Sequence, residues 1–157
     1  MEERKYRKSP RLKEFDYTKN GAYFVTFVTK NREKVLSEIV GAGLCARPLV
    51  QLTEIGSVTE SAVNYINNYK DYRVDKYIIM PNHVHLLIQI TAEGGHGDPP
   101  LQDVIGRLKS YVEKHYDGTL WQRSFYDHVI RNEDDYLNIW SYIDGNPSKW
   151  LSDEYYI

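Results

Sequence analysis

The segment YIIMPNHVHLLI, residues 77–88, decides the fold of this 157-residue chain. Its apolar and β-branched runs predict two strands, 74–80 and 84–90, joined by a short Pro-Asn turn into a hairpin. Alternate side chains of a strand leave the same face, so His83 and His85 are predicted to project together. Two adjacent imidazoles are half of a divalent metal site, whereas the simpler interpretation of the spacing alone is a polar pair on a solvated sheet face.

Hydrophobic periodicity predicts two more strands and three helices around this hairpin. The strands cover residues 22–29 and 124–130, and the helices cover 53–69, 101–116 and a segment that begins after Asn132. The order of strand, helix, hairpin, helix and strand is typical of the split β-α-β arrangement of ferredoxin-like folds. We therefore predict an α+β fold, with an antiparallel sheet of four to five strands, helices on one face, and a C-terminal helix that carries a candidate tyrosine.

Local residues predict helix starts, core positions and a loop. Thr53 and Asn132 are suitable N-caps for the first and third helices. The glycine-rich segment 41–48 is predicted to be a loop, and Cys45 within it has no neighbour in sequence that would activate a thiol. The apolar stripes of the helices predict core positions that include the aromatic residues Tyr65, Tyr111, Tyr136 and Trp140.

The third predicted helix contains a tyrosine in a position suited to chemistry. Tyr142 lies off the stripe of that helix, so its hydroxyl is predicted to face outward, and Asn146 follows one turn later. Together they could supply a nucleophile and a metal ligand to one site. Asn146 also has a structural alternative, as the N-cap of a further helix with Pro147 at its first position. Among fourteen tyrosines we prefer Tyr142 to Tyr126, which alternates with Phe125 in a strand and is predicted to pack.

Composition limits the class of protein. The formal net charge is −2, so any affinity for nucleic acid must come from local patches rather than from the whole molecule. A single cysteine, no signal peptide and no apolar run long enough to cross a bilayer predict a cytoplasmic protein without a membrane partner. The length predicts one domain, residues 21–157, preceded by a basic tail, residues 1–20.

The basic tail is the clearest local patch of positive charge that could bind nucleic acid. Its cations are interleaved with aromatic residues, and this combination suits phosphates and unpaired bases, although a solvated tail is an equally good interpretation. The candidate DNA contacts in the tail are Arg4, Lys5, Arg7, Lys8 and Arg11.

Three motifs in a fixed order resemble a known family. HVH at 83–85, WQRSFYDHVIR at 121–131 and YIDGNP at 142–147 are similar to the single-tyrosine HUH transposases, also called IS200-like transposases. Within that family the chain most resembles the branch associated with repetitive extragenic palindromes, the REP-associated tyrosine transposases. The resemblance extends from about residue 11 to residue 150.

The resemblance implies a reaction and roles for particular residues. His83, His85 and Asn146 would be ligands of Mg²⁺ or Mn²⁺, and Tyr142 would be the nucleophile. The reaction would be cleavage and strand transfer of single-stranded, hairpin-forming DNA through a covalent 5′-phosphotyrosine, in transposition or in a domesticated role. Beyond the tail we expect DNA contacts from Arg107, Lys109 and Arg123, and a structural or ligand-orienting role for His128.

Two other functions stay open at this point. One is an HUH nickase of replication or conjugation, and the other is a non-catalytic module that binds single-stranded DNA or RNA on the same sheet. The compact chain and the motif at 121–131 favour the transposase branch. Whether the protein is a monomer or a homodimer, and whether Tyr142 acts in cis or in trans, also stay open.

Overall fold

The computed structural model describes residues 21–41, 47–91 and 99–156. Within these ranges the chain forms six strands and three α-helices. The strands are β1 (Gly21–Val28), β2 (Ser37–Val40), β3 (Leu49–Leu52), β4 (Tyr72–Ile79), β5 (His83–Ile90) and β6 (Tyr126–Ile130). The helices are α1 (Glu54–Tyr65), α2 (Leu101–Glu113) and α3 (Glu133–Gly145), and a 3₁₀ segment, Pro147–Ser152, follows α3.

Four strands form one antiparallel sheet in the order β4-β5-β1-β6. β1 lies in the middle and pairs with β5 on one side and with β6 on the other, while β4 and β5 form the predicted hairpin. Counting only the strands of this sheet, the order is 4-1-3-2, as expected when two helical crossovers flank a central hairpin. The predicted α+β, ferredoxin-like fold is confirmed.

Alternation along the strands divides the apolar residues between two cores. The larger core lies between the sheet and α1 and α2, and β1 contributes to it Tyr23, Val25 and Phe27. A smaller cluster lies under α3 on the opposite face and is built from Phe24, Leu87 and Ile143. The prediction of helices on one face therefore holds for α1 and α2, and α3 covers the other face.

The helix caps agree with prediction better than the helix ends do. Thr53 Oγ1 accepts a hydrogen bond from Gly56 N at 3.1 Å, and Asn132 Oδ1 accepts one from Asp135 N at 2.8 Å, which confirms both N-caps. α1 ends at Tyr65 rather than at residue 69, because the next three residues tighten into a 3₁₀ turn. α2 likewise ends at Glu113 rather than at residue 116.

Several predicted core aromatics are on the surface. Tyr65, Tyr111 and Trp140 are 61%, 49% and 37% exposed, so their assignment to the core was wrong. Periodicity gives the direction of an apolar stripe but not its width, and these residues lie at its exposed margin. Tyr126 was also predicted to pack, yet it is 49% exposed while its neighbour Phe125 is buried.

A second, two-stranded sheet was not predicted. β2 and β3 pair around the segment predicted to be a loop, of which residues 42–46, with Cys45, lie outside the described residues.

The start of α1 packs against the chain just before β2. A Cβ added at Gly56 would lie 1.9 Å from the carbonyl oxygen of Leu36, so only glycine permits this approach.

Some predictions fall outside the described residues. The basic tail, with Arg4, Lys5, Arg7, Lys8 and Arg11, is among them. Over the ranges that the structure covers, none of the helices combines the length and the apolar character needed to cross a bilayer.

Candidate active site

His83 and His85 project from β5 to the same face, as the strand pattern predicts. Their ring centroids are 4.6 Å apart, and the two residues are 0% and 1% exposed. The alternative of a polar pair on a solvated face was therefore wrong, because α3 and the chain that follows it cover this face of the sheet.

Each imidazole is fixed through its Nδ1 atom. His83 Nδ1 lies 2.9 Å from Asn82 Oδ1, and His85 Nδ1 lies 2.7 Å from Thr26 Oγ1 on β1. Asn82 Nδ2 donates to the carbonyl oxygens of Arg32 and Tyr155, which leaves Asn82 Oδ1 as the acceptor for His83 Nδ1–H. The lone pair of His83 then resides on Nε2.

The Nε2 atoms have no such partners. Both are buried, and neither has a hydrogen-bond partner among the described residues. Burial lowers the pKa of His83 to about 3; Asn146 opposes this shift and Arg32 adds to it. Burial, with a smaller effect of His83, also lowers the pKa of His85 well below its ordinary value. Both imidazoles are therefore neutral near pH 7 and can donate lone pairs.

Tyr142 and Asn146 meet this pair from the end of α3. The Tyr142 ring contacts the His85 ring edge to face with centroids 5.3 Å apart, and it contacts Phe24 at 5.9 Å. Asn146 is 2% exposed, and its Oδ1 is buried without a hydrogen-bond partner in the described part of the chain. The helical spacing thus brings together the four residues that were predicted to share one site.

The environment of Tyr142 favours the neutral phenol. Burial raises the pKa of Tyr142, the carboxylates of Asp153 and Glu154 raise it further, and the Asn146 amide lowers it. Tyr142 is nevertheless 38% exposed, so its ring lies partly in solvent. The phenol is buried enough to be oriented and open enough to meet a large substrate.

Polar contacts hold α3 on the sheet on both sides of Tyr142. Asp75 on β4 accepts hydrogen bonds from Tyr136 Oη at 2.7 Å and from Gln89 Nε2 at 2.8 Å. Burial, together with the bond to Asp75, raises the pKa of Tyr136 to about 12, so this phenol stays a donor. Nearer the end of the helix, Lys76 Nζ lies 2.9 Å from Asp144 Oδ1.

The donor atoms fit a divalent cation that accepts mixed nitrogen and oxygen ligands. Two imidazole nitrogens and one amide oxygen are buried on one side of the site without partners, an arrangement that costs free energy unless something binds there. The described residues contain no group of three His, Cys, Asp or Glu side chains that could hold a metal, so the cluster of candidate donors consists of two imidazoles and the Asn146 amide.

The segment 153–156, which we call the C-terminal cover, closes over the imidazoles. The Tyr155 ring lies 4.4 Å from the His83 ring, centroid to centroid, and Asp153 Oδ2 lies 4.0 Å from His83 Nε2. Burial raises the pKa of Asp153, the backbone hydrogen bond from Tyr155 lowers it, Glu154 raises it and the Asn146 amide lowers it. No sequence pattern indicates these residues, because a short irregular segment about seventy positions from the histidines carries no periodic signal.

Arg32 and Asn82 hold the cover in place. Arg32 Nη1 donates to the carbonyl oxygen of Glu154 at 3.1 Å, and its guanidinium lies over the Tyr155 ring at 5.5 Å. Asn31 and Arg32 have φ values of 55° and 56°, a left-handed conformation that is uncommon for residues other than glycine. Arg32 contacts the cover from this turn.

The remaining predicted residues lie farther from the imidazoles. Lys109 Nζ donates to the carbonyl oxygens of Gln122 and Ser124, so it supports the loop before β6. His128 Nε2 lies 2.8 Å from Asp135 Oδ2 and ties β6 to the start of α3. Arg107 and Arg123 are exposed, with Arg107 on α2 across the sheet from the imidazoles. Their contact with DNA stays a prediction.

Comparison with known proteins finds relatives in sequence and in structure. No protein-family model matches the chain. The chain is 31% identical to a Haemophilus influenzae protein of unassigned function, over 97% of this chain and 94% of that protein. It is 24% identical to the REP-associated tyrosine transposase of Escherichia coli, over 85% of this chain and 70% of the relative.

A solved structure has the same fold. It is that of a REP-associated tyrosine transposase bound to a REP hairpin, with a TM-score of 0.64 and 20% identity, over 88% of this chain and 73% of that one. The chain resembles the REP-associated tyrosine transposases in sequence and shares the fold of this solved structure.

Proposed function

We propose that this protein is a transposase that cleaves and rejoins single-stranded, hairpin-forming DNA in a metal-dependent reaction with Tyr142 as nucleophile. The observation that carries the proposal is the cluster of buried atoms without partners, Nε2 of His83 and His85 and Oδ1 of Asn146, beside the ring of Tyr142. A module that only bound nucleic acid would gain nothing from leaving these atoms unpaired at a cost of about 1–3 kcal/mol each.

In the proposed cleavage, Tyr142 Oη attacks the phosphorus of the scissile phosphodiester. The bond from phosphorus to the 3′ oxygen breaks, that oxygen takes up a proton, and the phenol releases its proton to solvent. The products are a 5′-phosphotyrosine and a free 3′-hydroxyl. Rejoining is the reverse attack by a 3′-hydroxyl on the phosphotyrosine, so no nucleoside triphosphate is required.

His83, His85 and Asn146 would hold Mg²⁺ or Mn²⁺. A cation there would supply positive charge for a non-bridging phosphate oxygen and for the Tyr142 phenolate. The protein contributes rigidity, because the Nδ1 contacts with Asn82 and Thr26 fix both rings before any ligand arrives. The Asn146 amide also favours the ionised phenol, since it lowers the pKa of Tyr142.

Similarity to the REP-associated tyrosine transposases supports hairpin DNA as the substrate. The related transposase of known structure is bound to a REP hairpin, and the partly exposed ring of Tyr142 is accessible to a strand that flanks such a hairpin. We propose a cytoplasmic location on the same grounds, since the substrate would be cellular DNA. The same similarity also favours this activity over that of a replication or conjugation nickase.

The test uses a labelled DNA hairpin with single-stranded flanks, incubated with Mn²⁺, Mg²⁺ or a chelator. We expect metal-dependent cleavage, a 3′ product that a polymerase can extend, and a 5′ product that migrates with protein until it is treated with protease. His83→Ala should lose cleavage, whereas His115→Ala, at an exposed histidine beyond the end of α2, should retain it. Equal cleavage by the wild type and His83→Ala would refute the metal site.

A further inference from the structure

Tyr126 lies on the same sheet face as the candidate site but outside its buried part. Thr26 on β1 pairs with His85 on one side and with Tyr126 on the other, so the three side chains leave the same face of the sheet. At the usual strand spacing, Tyr126 is about 10 Å from His85 across the sheet. It is 49% exposed, whereas His85 is 1% exposed.

A continuous set of aromatic contacts joins Tyr126 to the nucleophile. The Phe24 ring lies 6.5 Å from the Tyr126 ring, 5.9 Å from the Tyr142 ring and 5.1 Å from the His85 ring, between centroids. Phe24 is buried at 7% exposure, so it fills the space between the two tyrosines. The partly exposed rings of Tyr126 and Tyr142 therefore lie on either side of the buried Phe24 ring.

The edge of the sheet beside Tyr126 is open. β6 is an outer strand whose only partner among the described residues is β1. A DNA strand that reached Tyr142 could therefore leave the site across β6 without displacing another β-strand of the sheet. Half-exposed aromatic rings along such a path are the usual platforms for unpaired bases.

We propose that Tyr126 stacks on a base next to the scissile phosphate and so positions the flanking strand for attack by Tyr142. This inference rests on the proposed function, because it assumes that single-stranded DNA enters the site. It assigns Tyr126, rather than a basic residue, to the positioning of the strand. Stacking is tolerant of base identity, so the contact would set the position of the strand more than its sequence.

The experiment compares the wild type, Tyr126→Ala and Tyr126→Phe, with Tyr65→Ala as the control. Tyr65 is also a surface tyrosine, but it lies on α1 on the opposite face of the sheet. Hairpin substrates carry 2-aminopurine or an abasic nucleotide at each flanking position in turn, and cleavage rates, fluorescence quenching and thermal unfolding are measured.

We expect Tyr126→Ala to reduce cleavage about tenfold, within the range of one lost stacking contact, while Tyr126→Phe and Tyr65→Ala stay near the wild type. At one flanking position, 2-aminopurine should be quenched by the wild type and not by Tyr126→Ala. An abasic nucleotide at that position should remove the difference in rate between the wild type and Tyr126→Ala.

Three results would overturn the inference. They are wild-type cleavage by Tyr126→Ala, a loss in Tyr126→Phe as large as that in Tyr126→Ala, or a loss that persists with every abasic substrate. If the wild type quenches 2-aminopurine through Tyr126 but cleaves no substrate, stacking stands and the proposed cleavage activity fails. If Tyr126→Ala unfolds at the same temperature as the wild type, the variant is folded.

Discussion

The ring of Tyr155 stacks on the ring of His83 at 4.4 Å between centroids, so the C-terminal cover closes the site that the histidines form. His83 and His85 are almost completely buried in this arrangement. We expect that a cation has to displace the cover before it can reach their Nε2 atoms. Binding therefore includes the free energy of opening.

Tyr155→Ala should make the site easier to reach. Removing the ring abolishes its contact with His83 and the cation–π contact with Arg32, so we expect the apparent affinity for Mn²⁺ to rise about tenfold. Titration calorimetry measures this affinity. The control is Tyr65→Ala, at an exposed tyrosine of α1, which should leave the affinity unchanged. Unchanged or weaker binding in Tyr155→Ala would show that the cover is no barrier.

The buried histidines should make the metal-free protein sensitive to acid. Burial lowers the pKa of His83 to about 3 from the ordinary 6.5, so between these values the unfolded chain binds more protons than the folded chain does. The free energy of unfolding should therefore fall as the pH falls below 6.5, by up to about 1.4 kcal/mol per pH unit for this histidine. Lowering of the His85 pKa adds to the same trend.

Denaturant unfolding of the wild type and His83→Gln at pH 7, 6 and 5, in the presence of a chelator, measures this dependence. The variant lacks one of the two imidazoles, so it takes up about one proton fewer than the wild type when it unfolds in acid. Its free energy of unfolding should therefore fall less steeply as the pH falls. Parallel pH profiles for the two proteins would contradict the assignment of His83 as a buried neutral base.

Gly56 and Gly106 form a matched pair for testing the packing of α1. A Cβ at Gly56 would lie 1.9 Å from Leu36 O, whereas one at Gly106 in α2 would meet nothing within 4 Å in the described structure. Gly56→Ala should lower the free energy of unfolding by about 1–3 kcal/mol through overpacking. Gly106→Ala should raise it by about 0.5–1 kcal/mol through helix propensity. Urea denaturation distinguishes these outcomes, and a neutral Gly56→Ala would mean that α1 does not approach Leu36 this closely.

The sequence predicts those features of the site that depend on local geometry. Period-two alternation places His83 and His85 on one face, and helical spacing places Asn146 one turn after Tyr142. The same rules fail where a position depends on what packs over it. Alternation separates Tyr126 from Phe125 but does not say which face is covered, so Tyr126 was wrongly assigned to packing.

The cover was missed for a different reason. Asp153 and Tyr155 reach His83 through contacts between residues about seventy positions apart, and Arg32 contacts the cover from its left-handed turn. Neither the contact nor the turn leaves a local pattern. β2 and β3 escaped prediction because each has only four residues, too few for periodicity to be seen.

The central claim is that Tyr142 is the nucleophile, and Tyr142→Phe tests it most directly because the substitution removes only the attacking oxygen. The wild type, Tyr142→Phe and Tyr126→Phe are incubated with labelled hairpin DNA and Mn²⁺ and resolved on denaturing gels. We predict a covalent protein–DNA adduct with the wild type and with Tyr126→Phe. With Tyr142→Phe we predict no adduct and hairpin binding close to that of the wild type. An adduct that persists in Tyr142→Phe, or that is lost only in Tyr126→Phe, would contradict the account.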